Sequence, residues 1–211
     1  MNGREFLDYI LQHEYKGRVT YEIRKANKQS KLKYNLQRTP IFQLTDLVEN
    51  GTSPANYKTI AHEVGHFHNN NNNARWFKKF LFVQYTFFTF WIISMIYTVF
   101  YCWNIYKEGL TFNTIFFAMS IISVVLIVLG IYFSAIKRQD EKFADQNAGI
   151  LINKYLKNAL NKYGNPSGLL QIYNETLEIL RGEEKLQNEY TYFIMALALI
   201  PMIILVCTII I

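Results

Sequence analysis

The sequence predicts a mainly α-helical, three-span membrane protein whose small α+β polar domain is interrupted by a transmembrane hairpin. Three observations lead there. Only 18% of the 211 residues are charged, against about 25% in a soluble domain, and charge is absent from residues 80–106, 109–136 and 190–211. Each of these runs exceeds the roughly 20 residues that cross a 30 Å hydrocarbon core. The first two runs are separated only by Lys107 and Glu108, so they form a hairpin that returns the chain to the side it left. The remaining residues, about 130 of them, are polar and periodic, enough for one small domain. Disorder, a collagen-like fibre and a purely soluble enzyme are excluded.

The elements follow in order. Residues 5–15 put Phe6, Leu7, Ile10 and Leu11 on one stripe ahead of Gly17, the pattern of a short amphipathic helix with its stop. Its first sixteen residues carry charges and no long apolar stretch, so no cleavable signal is expected. Val19, Tyr21 and Ile23 alternate with polar residues, as do Leu32, Tyr34 and Leu36, which reads as a β-hairpin. A third strand, residues 41–44, follows Pro40, whose missing N–H suits a sheet edge where an extended peptide can add. Ser53 and Pro54 are an N-cap and first-turn pair opening a helix that runs through His66. The five asparagines at 69–73 read as a low-complexity connector.

The expected organisation is therefore 1–79 for the first part of the polar domain, a hairpin at 80–136 (spans 80–103 and 110–136), 137–189 for the second part, and a last span at 190–211. The segment 137–189 reads as two helices broken at Gly164, Asn165 and Pro166. Cys102 and Cys207 lie near span ends and form no CxxC pair, so packing rather than a disulfide or thiolate site is expected. Pro201 is expected to kink the last span.

Arg75, Lys78 and Lys79 precede the first span and Lys137 and Arg138 follow the second, against Lys107 alone in the link. The positive-inside rule then places the polar domain in the cytoplasm of a multi-pass cell-membrane protein. The net charge of +6 draws that domain toward anionic lipid of the bilayer. No RNA-binding motif or basic recognition helix is present, so a nucleic-acid partner is not expected.

His62-Glu63-Val64-Gly65-His66 carries the chemistry. Positions i and i+4 of a helix share a face, so both imidazoles reach one Zn²⁺ while Glu63 lies beside them as a base. With 4 His in the chain, the pattern arises by chance in about 0.4% of chains of this composition. Catalytic zinc sites use three protein ligands plus water, so a third must exist. His13 lies on the first helix, and His68 is turned roughly 160° from His66. Glu141 is better placed: two crossings return it to the side of the histidines. In a helix Arg138, Glu141, Ala144 and Asp145 share a face, offering a carboxylate ligand, a small residue for close helix approach, and a second carboxylate to hold an imidazole N–H.

The string Ile60-Ala-His62-Glu63-Val-Gly-His66-Phe-His-Asn69, two spans, then Arg138-x-x-Glu141-x-x-Ala144-Asp145 resembles the integral-membrane zinc metallopeptidases of the HtpX and CaaX prenyl protease type. Those proteins likewise follow HExxH with a transmembrane hairpin and an ExxAD glutamate. The order of segments also looks like the YugP-type neutral zinc metallopeptidases. The resemblance covers residues 40–150 and the last span. HtpX-like proteins carry two spans before the HExxH helix where this sequence has none, and the soluble ImmA/IrrE group shares both motifs without the hairpin. The resemblance implies a zincin-like polar domain, Zn²⁺ as cofactor, His62, His66 and Glu141 as its ligands, Glu63 as catalytic base, and Asp145 and Arg138 as supporting residues. It implies hydrolysis of peptide bonds in membrane-proximal or unfolded proteins.

An alternative of a different class is a membrane-anchored regulatory or immunity protein with a structural or vestigial zinc site. A transporter is disfavoured because the spans contain no facing ionisable pair.

Overall fold

The structure is a computed structural model that describes residues 1–16, 18–35, 39–108, 114–163, 168–182 and 187–210. It is mainly helical with one small sheet. The order is α1 (Gly3–Tyr15), β1 (Glu22–Lys25), β2 (Lys31–Tyr34), β3 (Pro40–Leu44), α2 (Asp46–Asn50), α3 (Pro54–Asn72), α4 (Ala74–Glu108) and α5 (Thr114–Leu151). A π-helical turn (Ile152–Leu156), α6 (Lys157–Lys162), α7 (Leu169–Gly182) and α8 (Gln187–Ile210) complete it. Gly17, Leu36, residues 110–113, the 164–166 break and Ile211, all named above, lie outside the described residues.

The chain divides into two compact units, Met1–Ala74 with Asp140–Lys185, and Arg75–Gln139 with Leu186–Ile211.

In the first unit α1 is fixed at its start by a capping box: the Asn2 side chain accepts from Glu5 N–H at 2.8 Å, and the Glu5 carboxylate accepts from Asn2 N–H at 2.7 Å. Its apolar stripe, Phe6, Leu7, Ile10 and Leu11, is buried against Tyr57, Ile60, Ala61 and Val64 of α3 and Ile152, Leu156 and Leu160 farther on. Ser53 caps α3, accepting from Asn56 N–H at 3.4 Å, with Pro54 in its first turn.

The sheet corrects two expectations. Its order is β1-β3-β2, with β1 parallel and β2 antiparallel to β3, so β1 and β2 form no hairpin and β3 is the centre, not an edge. The cause lies in burial. Pro40, Ile41, Phe42 and Leu44 are buried while the Lys- and Arg-bearing β1 and β2 are half-exposed, and charged residues belong on edges, where they discourage pairing with other chains. Pro40 is tolerated because it lies beyond the first β1 pair, Glu22 with Ile41, and opposite Tyr34. The two edges of the sheet are therefore β1 and β2.

The asparagine run is a third correction. Residues 69–72 continue α3, and Asn73 is its cap. Asparagine is a poor helix former, but Asn69 is 7% exposed and bonded across to Asp140, and Asn70 donates to the Tyr34 hydroxyl at 3.2 Å. Tertiary contacts override the local preference.

In the second unit α4, α5 and α8 share a core of Val83, Phe87, Leu126, Phe133, Ile136, Ile194 and Ala198. Gly130 lets α5 and α8 approach closely, since a β-carbon there would stand 3.1 Å from that of Ala198. Trp91 Nε1 donates to the Leu197 carbonyl at 2.8 Å. Two helices, Ala74–Lys107 and Ser120–Lys162, are long and apolar enough to span a membrane, and only 17% and 33% of their most apolar windows are buried. Phe82, Ile92, Ile96, Val99 and Phe100 face outward, the reverse of a core helix in a water-soluble fold. Among the described residues, the apolar stretch of α8 is Tyr192–Ile204.

Candidate metal centre

The centre lies within the first unit, where α3 meets the last turns of α5. Gly65 permits the approach: a β-carbon there would stand 2.3 Å from the Ala144 carbonyl oxygen. Asn147 Nδ2 donates to the Gly65 carbonyl at 3.3 Å and ties the two helices at that point. Ala144 is therefore the small residue its place in the sequence suggests, and it is fully buried.

This packing brings His62, His66 and Glu141 together, with one donor atom from each inside a 4.8 Å group. Glu141 Oε2 lies 3.2 Å from His62 Nε2 and 3.3 Å from His66 Nε2. Tetrahedral coordination with bonds of about 2.0–2.1 Å separates neighbouring donors by about 3.3–3.4 Å. Two of the three donor separations thus match those around one small tetrahedral ion, and the third is within 4.8 Å.

The opposite ring nitrogens are held by carboxylates. His62 Nδ1–H donates to Asp145 Oδ1 at 2.7 Å and His66 Nδ1–H donates to Asp140 Oδ2 at 3.1 Å. Each bond fixes a tautomer that leaves Nε2 turned toward the shared centre. Asp140 in turn accepts from Asn69 Nδ2 at 3.2 Å. Sequence reasoning named Asp145 and missed both Asp140 and Asn69. Asp140 immediately precedes Glu141 and the asparagine stands in a run that reads as a connector, yet an Asn three residues past the second histidine returns to the face of His62 and His66.

Glu63 is 7% exposed and its Oε2 accepts from Leu32 N–H at 2.6 Å. Burial pushes its carboxyl above the usual range, while the His66 and His62 charges and the Leu32 N–H pull it back. Leu32 therefore turns its N–H away from β3, toward the site. Arg138 lies three residues before Glu141 on α5 and is exposed, within the stretch belonging to the second unit. His13 bonds the Tyr9 carbonyl at 2.7 Å and stacks on the Tyr9 ring. His68 lies between the Tyr15 hydroxyl and Asn72 Nδ2, at 2.9 and 2.8 Å.

For His66, burial lowers the pKa, but the bonds to Asp140 and Glu141 outweigh it and raise it to about 9; His62 is raised by Asp145 and Glu141 against the same burial. The unfolded value is about 6.5. A folded pKa above the unfolded one gives stability fully present below about pH 6.5 and lost as pH rises through about 9. The chelator-treated chain should therefore lose on the order of 1–3 kcal/mol between pH 6.5 and 9.5, read as a falling thermal midpoint. Added metal should remove this trend, because it takes the place of the Nε2 protons.

Compared with protein families, curated proteins and solved structures, the chain finds no match in any of the three.

Proposed function

We propose that this protein is a metal-dependent hydrolase, and specifically a membrane-bound zinc metalloendopeptidase. The observation that carries the reading is the joining of His62, His66 and Glu141 into one three-donor group beside a buried carboxylate, Glu63. Two nitrogens and one carboxylate oxygen suit Zn²⁺, and catalytic zinc sites keep three protein ligands and one open position. A structural site needs a fourth protein donor; the group found among the described residues has three, and the Glu141 side chain is 24% exposed.

When bound, Zn²⁺ supplies a Lewis acid that brings the pKa of water down toward about 7 and polarises a carbonyl. Glu63 accepts the proton of the attacking water and returns it to the leaving amine. Asp145 and Asp140 hold the two imidazoles in the orientation that keeps Nε2 toward the ion. The substrates this reading proposes are unfolded or membrane-proximal protein segments rather than folded proteins. The chain crosses the membrane three times, by α4, α5 and α8, with the polar domain on the cytoplasmic side that the cations specify.

The full chain, purified in detergent and loaded with Zn²⁺, should cleave an unfolded protein such as casein. A chelator should stop cleavage and Zn²⁺ restore it. A zinc-loaded chain that cleaves neither casein nor membrane-inserted peptides would overturn the assignment in favour of a regulatory protein.

A further inference from the structure

The contacts between α3 and α5 form an antiparallel ladder. His66 meets Asp140 and, one turn earlier on α3, His62 meets Asp145, which is farther along α5. One more turn back along α3, at the same i, i+4 spacing, stands Lys58. It is only 6% exposed, unlike nearly every lysine in a folded protein.

We propose that Lys58 is the third rung of this ladder, a positioning residue whose buried ammonium grips Asp145 and thereby fixes His62 as a metal ligand. The inference rests on the metal-site reading above.

The charges support it. A buried ammonium is costly unless anions surround it. Burial lowers the pKa of Lys58, and Asp145, Glu63 and Glu141 push it back up, Asp145 most strongly of the three. The site places four carboxylates, Glu63, Asp140, Glu141 and Asp145, around the two imidazoles. A divalent ion offsets two of those charges, and Lys58 offsets a third from the side opposite Asp140.

Asp145 must present Oδ1 to His62 Nδ1–H in one orientation. A lone carboxylate rotates about its Cβ–Cγ bond, whereas one gripped by a fixed ammonium does not. Supporting residues of this kind typically alter metal affinity 10- to 100-fold. Asp140 is held in the equivalent way by Asn69 Nδ2, so each imidazole has a carboxylate and each carboxylate has its own donor.

The test is Zn²⁺ affinity of the full chain in detergent, measured by competition with a chelating dye. Lys58→Met should weaken binding about 10-fold or more and Lys58→Arg by less than about 3-fold. Asp145→Asn should weaken binding by a similar factor, and adding Lys58→Met to it should cost nothing further, because the lysine acts through that carboxylate. Should Lys58→Met fail to fold, Lys58→Gln against Lys58→Arg gives the same comparison of charge lost and charge kept. Unchanged affinity without the charge, equal loss in the Arg variant, or full additivity with Asp145→Asn would each overturn the proposal. A wild-type chain that binds no Zn²⁺ would overturn the metal-site reading instead, which separates the two failures.

Discussion

A Glu63→Gln chain should bind Zn²⁺ at the wild-type ratio and hydrolyse peptide bonds about 10²- to 10⁴-fold more slowly, the range set by loss of a general base. Glutamine keeps the volume and the acceptor oxygen, so the bond from Leu32 N–H, 2.6 Å in the wild type, persists and β2 stays tethered to α3. What glutamine cannot do is accept a proton. Burial raises the Glu63 carboxyl and the neighbouring imidazoles restrain that rise, which suits a group that must take a proton near neutral pH and give it back. Metal content and initial rates on one preparation check both halves. Equal activity in the variant would end the hydrolytic reading, whereas lost metal would mean that Glu63 supports the ligands rather than the reaction.

Periodicity made the helices legible. The stripe of α1 and the Ser53-Pro54 start of α3 depend on local rules, and both lie where those rules put them. The grouping of His62, His66 and Glu141 was legible for a different reason: HExxH puts two of them on one helix face, and the hairpin order of the two long apolar runs limits where a third can come from. Pairing was not legible. Nothing local in 19–36 distinguishes a hairpin from two strands flanking a third, because the choice is made by which strand buries both faces. Pro40 points to an edge only if its missing N–H faces a partner, and here it lies beyond the first β1 pair. Asn69 was masked by its own repeat, since a run of identical polar residues gives no period from which to single out the one that turns inward. Lys58 was hidden by residue type: a lysine one turn before a histidine reads as a solvated position until its burial is known.

Glu141→Ala should leave the fold intact and reduce bound Zn²⁺ to below about one tenth per chain, because two histidines and solvent give a much weaker site than the three protein ligands of a catalytic zinc. The fold survives for reasons separate from the metal. Asp145 and Asp140 still hold the imidazoles, Gly65 still lies against Ala144, and Asn147 still bonds the Gly65 carbonyl. Loss of metal without loss of structure is therefore the signature of a ligand. Asp145→Asn, by contrast, should retain the ion at high Zn²⁺ and lose affinity only 10- to 100-fold, so the two carboxylates separate by experiment although they lie four residues apart on one helix. His62→Ala should behave like Glu141→Ala, since it removes a donor from the same group. Full zinc occupancy in Glu141→Ala would show that this glutamate merely pairs with the imidazoles, and the three-donor centre on which the hydrolytic chemistry depends would no longer exist.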